Sequence, residues 1–81
     1  MNATILARKA VYRWLYSRRV QEPGLYFSKD DLKDVAAEPG LSAALAFGLE
    51  LGHLEIKRGY FRLTALGMLH AEAKAYVEGE I

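Results

Sequence analysis

From Thr4 to Val20 the chain runs without glycine or proline. At about 100° per residue, Leu6, Ala7, Ala10, Val11, Trp14 and Leu15 gather on one broad face. The spacing predicts a first helix over 4–20 with that face inward, leaving Ile5, Arg8, Lys9, Tyr12, Tyr16 and Arg19 outside. Pro23-Gly24 stops it, because proline cannot continue a helix and glycine supplies the turn. Leu25-Tyr26-Phe27 is short and β-prone between turn residues, which predicts a strand of one pairing length. Ser28, with Asp31 three residues on, opens a short second helix. Its inward stripe is Leu32, Val35 and Ala36, and Glu38-Pro39-Gly40 ends it.

A third helix over 41–51 turns Leu41, Ala44, Leu45, Leu49 and Leu51 inward or to its margin. Gly52 follows it, where positive φ is easiest without a Cβ. Leu54-Glu55-Ile56-Lys57 and Tyr60-Phe61-Arg62-Leu63 alternate on either side of Arg58-Gly59, the pattern of a hairpin. Thr64 caps a last helix with the stripe Ala65, Leu66, Leu69, Ala73, Tyr76 and Val77, and Gly67 allows a close packing approach in its first turn. The elements predict an α+β fold, mainly α, in the order α-β-α-α-β-β-α with a small antiparallel sheet. Its core is expected around Trp14, Leu45 and Leu69.

Eighty-one residues are expected to form a single domain over 1–81. A domain of that size buries only about 60–65% of its unfolded surface, so most apolar stripes must face inward. The chain has no cysteine, which excludes disulfides and thiolate metal sites. The longest low-polarity run, Leu41 to Leu49, is too short to cross a bilayer, so a cytoplasmic protein without membrane association is expected.

The net charge of +1 conceals segregation. Residues 1–21 carry five cations and no acid, residues 22–56 two lysines against seven acids, and residues 57–62 three further cations. Two basic zones flank an acidic middle.

The stretch Leu49-Glu50-Leu51-Gly52-His53-Leu54-Glu55, followed by Tyr60-Phe61-Arg62-Leu63-Thr64-Ala65-Leu66-Gly67, resembles winged helix-turn-helix regulators of bacteria and archaea. Those of the multidrug-resistance-repressor and phenolic-acid-repressor kinds commonly show a Leu-Glu-x-x-Gly helix end, a hairpin wing and a Leu-Thr-x-x-Gly opening of the next helix. Here the Leu-Glu pair stands one residue closer to the glycine. The resemblance covers about Thr4 to Val77. It implies a winged-helix fold that binds double-stranded DNA, with the third helix in the major groove and the wing along the backbone. The first helix of such proteins often makes a dimer contact.

The third helix departs from that implication. Its expected outer face is Ser42, Ala43, Ala46, Phe47 and Glu50, without the Lys, Arg, Asn or Gln that make bidentate contacts to bases. An accessory regulator that contacts mainly phosphates, with weak sequence preference, is therefore expected. Its contact residues would be Arg8, Lys9 and Arg19 on the first helix, Ser42 on the third, and Lys57, Arg58 and Arg62 on the wing. The alternative is an interaction module that has lost DNA binding and docks a protein, or a second copy, on Ala43, Ala46, Phe47 and Glu50. Against both stands a plainer arrangement, in which Phe47 folds under the wing as core. In the same arrangement the tyrosines of the first helix shield core edges while its arginines snorkel.

Chemistry at a catalytic site is not expected. His53 and His70 have no second ligand or paired carboxylate at helical spacing, the serines lack a nucleophile elbow, and no glycine-rich phosphate loop is present. No cofactor or metal is implied.

Overall fold

The segment free of glycine and proline forms α1 (Ala3–Gln21) in a computed structural model that describes residues 2–74 and Tyr76. Asn2 caps it, its side-chain oxygen accepting from the Thr4 amide at 2.7 Å, and Arg18 and Arg19 stand at the negative end of its dipole. The buried face is rotated from the expected one. Ala7, Val11, Tyr12, Leu15 and Tyr16 are buried, whereas Leu6 is 48% exposed. Trp14 is half-buried, edge-on to Phe27. Tyr12 and Tyr16, expected outside, are covered because α1 packs against two helices at once. Such a ring can be buried once its hydroxyl finds a partner.

Leu25 to Phe27 yields a single bridge. Phe27 exchanges two backbone hydrogen bonds with Phe61, at 2.8 and 2.7 Å. Ser28 and Asp31 do form a capping box, each side chain accepting from the other's amide, at 2.9 and 3.2 Å. The second helix they were expected to open does not develop. Asp30–Leu32 is one 3-10 turn, followed by turns as far as Pro39. Too few residues separate this cap from the next proline for helix propagation to offset nucleation. Leu32 still anchors the segment in the core.

The expected third helix is α2 (Gly40–Leu51), with Leu41, Ala44, Leu45 and Gly48 buried. Leu49 and Leu51 are exposed rather than inward. Gly52, at φ 77°, closes it. The hairpin pairs β1 (Leu54–Lys57) with β2 (Tyr60–Leu63), Leu54 opposite Leu63 and Lys57 opposite Tyr60. Arg58 and Gly59 both take positive φ, 54° and 82°, as a two-residue type I′ turn requires.

The last helix, α3 (Ala65–Ala73), begins on the expected cap, with Thr64 Oγ1 accepting from the Gly67 amide at 3.1 Å. Its buried face is Gly67 and Ala71. Leu66 and Leu69, expected in the core, are 54% and 63% exposed, and Ala65 and Ala73 are exposed with them. The cause is steric. A Cβ on Gly67 would lie 2.1 Å from the His53 carbonyl oxygen, so the helix backbone itself lies against the body there. Leu69 is carried roughly to the opposite side of the helix. Val77, the last residue of the expected stripe, lies outside the described residues.

The described residues form three α-helices and a two-stranded antiparallel hairpin in the order α-α-β-β-α, a mainly helical α+β fold compatible with a winged helix. Among the described residues no helix is long and apolar enough to cross a membrane.

Gly67→Ala is expected to destabilise the protein by about 3 kcal/mol or more, because backbone rather than a flexible side chain would have to move. Gly24→Ala, with nothing within 4 Å of the added carbon, is expected to change stability by less than about 0.5 kcal/mol. Urea unfolding of both variants measures the difference.

Candidate nucleic-acid interface

Charge alone made candidates of six cations, and the fold divides them. On α1, the Arg8 guanidinium lies 3.6 Å from the centroid of the Phe47 ring, half-buried. Arg19 is also half-buried and donates through Nε to the Leu63 carbonyl at 3.1 Å. Both therefore fasten α1 to its neighbours. Lys9 alone of the three is exposed. On the wing, Arg62 donates to the Pro23 carbonyl at 2.5 Å and to Glu55 at 2.7 Å. This ties the hairpin to the loop after α1. Lys57 and Arg58 are exposed, and no described carboxylate pairs with either.

Ser42 is occupied too. Its amide and hydroxyl donate to the two oxygens of Glu38 at 2.9 and 2.7 Å, and Lys29 bonds to both Ser42 Oγ and Glu38. Glu38 thus fills the place at the N-terminus of α2 where a phosphate would meet the helix dipole. The hydrogen bond from Lys29, with those from Ser42, holds its carboxyl down at about 2. Beyond it, the exposed residues of α2 are Ser42, Ala43, Ala46, Leu49, Glu50 and Leu51. Phe47, expected among them, is half-buried against the core, its ring 6.3 Å from that of Tyr12. The helical phase differs from the expected one by a fraction of a turn, which exchanges Phe47 for Leu49.

Behind α2 lies a cluster that sequence spacing did not reveal. The Tyr12 hydroxyl shares a 2.7 Å hydrogen bond with His53 Nδ1. The His53 and His70 rings lie 4.2 Å apart at 30°, with Phe47, Tyr76 and Arg8 round them. Burial pushes the Tyr12 hydroxyl up, and burial likewise lowers His53. His70 is lowered first by burial, then by His53, Lys74 and Arg8. Tyr12, His53 and His70 come from three separate segments, so no local spacing could have signalled them. Among the described residues no group of three or more His, Cys, Asp or Glu could hold a metal.

No protein-family model, curated protein or solved structure matches this chain. The arrangement of exposed and engaged cations therefore carries the functional argument alone.

The histidine pair has a pH consequence. Both imidazoles are held neutral in the folded protein, while the unfolded chain takes up protons below the ordinary value of 6.5. Stability is therefore complete above that pH and lost as the pH falls towards the depressed folded values. Thermal melting at pH about 7.5 and about 5 is expected to show this loss. In His70→Phe, which keeps a ring in the stack, the loss is expected to shrink.

Proposed function

We propose that this protein is a winged-helix DNA-binding domain that holds duplex DNA mainly through phosphates at the tip of its wing, with little sequence preference. The observation that carries this reading is Arg58. It sits at the outermost turn, exposed, beside Lys57 and in the left-handed conformation, at φ 54°. A non-glycine residue with a Cβ is disfavoured there by roughly 1–2 kcal/mol, and Asn is the usual occupant before glycine. A strained arginine with no partner among the described residues supports a role in contacting something outside the protein. Lys9 joins Lys57 and Arg58 as a candidate phosphate contact. Arg8, Arg19, Arg62 and Ser42 position the helices and the wing instead. The outer face of α2 offers bases no bidentate donor, so weak discrimination follows.

A second reading, docking of another protein on α2, is favoured by the exposure of Leu49 beside Ala43, Ala46 and Glu50. Leu49→Asp is expected to reduce self-association in sedimentation if that face is an interface. DNA affinity would change little.

The DNA reading is tested by titrating duplexes of unrelated sequence at two salt concentrations. Arg58→Asn is expected to weaken binding to all of them alike and to flatten the salt dependence by about one unit. The same substitution is expected to raise stability by up to about 1 kcal/mol, since asparagine relieves the turn. Strong preference for one duplex, or affinity unmoved by Arg58→Asn, would refute it.

A further inference from the structure

Phosphate contacts leave one feature of the wing unused. Lys57 stands opposite Tyr60 and Glu55 opposite Arg62, so strand alternation puts all four on one face of the hairpin. The Phe27–Phe61 bridge brings Tyr26 to the same face. Its ring centroid is 4.8 Å from the Arg62 guanidinium and 5.8 Å from the Lys57 ammonium. The carboxylate of this face is already engaged, because Glu55 accepts from both Arg62 and the Tyr26 hydroxyl. At the far end the Tyr60 ring is 48% exposed, and no described ring or cation stacks on it. On the reverse face Ile56 is 52% exposed although its partner Phe61 is 8% exposed. The end of the hairpin therefore stands clear of the body, and its two-residue turn keeps it narrow.

We propose that this end of the wing binds an unpaired nucleotide, with the Tyr60 ring stacked on its base and Lys57 and Arg58 on the flanking phosphates. The preferred ligand is then a duplex with a single-stranded end. This rests on the nucleic-acid reading above and adds to it the form of the nucleic acid. In the interior of a duplex the flat face of each base is covered by its neighbours, and only edges open to the grooves, while a blunt end shows one face of a pair that stays hydrogen-bonded and stacked beneath. An exposed ring beside exposed cations gains nothing in that interior. Against an unpaired base, a stacking ring strengthens binding by about tenfold or more, whatever the base.

The test is fluorescence anisotropy with a blunt duplex, the same duplex carrying a thymine overhang, and a polyglutamate peptide. The overhang is expected to bind about tenfold more tightly than the blunt duplex. Tyr60→Ala should abolish that margin without altering blunt binding, and Tyr60→Phe should keep it. Thermal melting establishes that both variants remain folded. Equal binding of both duplexes, or a loss in Tyr60→Ala shared by both, overturns the stacking role and leaves the phosphate reading standing. Failure of both duplexes to bind overturns the two readings together. Arg58-dependent capture of polyglutamate in that case would mark the wing as a site for acidic peptides instead.

Discussion

The turn formed by Gly52 and His53 is the junction at which α1, α2, the hairpin and α3 meet. Its backbone is engaged on all sides. The His53 amide donates to the Gly48 carbonyl at 2.8 Å, the Thr64 amide donates to the His53 carbonyl at 2.9 Å, and the Thr64 hydroxyl donates to the Gly52 carbonyl at 2.6 Å. The start of β1, the end of β2 and the cap of α3 are thereby held by one short segment. The His53 ring meets the Tyr12 hydroxyl from α1, so a buried phenol that would be costly unpaired is satisfied there. Two glycines make the approach feasible. A Cβ on Gly48 would lie 2.6 Å from Leu54 and 3.2 Å from the Tyr12 hydroxyl, and one on Gly67 would meet the His53 backbone. Leu54 and Leu63, which those two glycines face, are buried.

That junction governs where charge is available. With α1 drawn against α2 and β2, Arg8 and Arg19 become packing and hydrogen-bonding groups, and the basic first helix is largely consumed within the fold. Arg62 is consumed in the same way between the loop after α1 and Glu55. At the other basic zone the hairpin projects, and Lys57 and Arg58 remain in water. The acidic middle of the chain behaves similarly. Glu38, held by Lys29 and Ser42, completes the start of α2 and removes it as an anion site. Of the six cations that the charge pattern singles out, Lys9, Lys57 and Arg58 therefore remain exposed, two of them at the wing.

Much of the architecture was legible along the chain because its signals are local. A helix free of breakers, the Ser28–Asp31 capping box, the glycine at the end of α2, the Arg58-Gly59 turn and the Thr64 cap each depend on a few neighbouring residues. The structure contains each of them. The close approach at Gly67 was legible too, because a glycine in a first helical turn has little other use. The exceptions follow from competition within short segments. The residues after Ser28 carry a helix start but too little length, so a 3-10 turn results. Of Leu25-Tyr26-Phe27, Phe27 forms a single bridge to Phe61 among the described residues.

Helical phase and side-chain partnership were decided by tertiary structure. Periodicity locates an apolar stripe but treats every large apolar residue as equally inward. Leu66 and Leu69 lie outside because contact at Gly67 orients α3 by its backbone, and Tyr12 and Tyr16 lie inside because two helices cover α1 from both flanks. Phe47 and Leu49 exchange places for a similar reason, with Arg8 and Tyr12 receiving the Phe47 ring. Which cations face water was equally beyond sequence, since Arg19 and Leu63, or Arg62 and Pro23, are separated by tens of residues. Three helices, the hairpin and their caps and turns were readable along the chain, because neighbouring residues set them, whereas the short segments 25–27 and 28–39 were not. Only the packed structure decided the buried faces and the charges left to act, because those depend on partners that the chain brings together by folding.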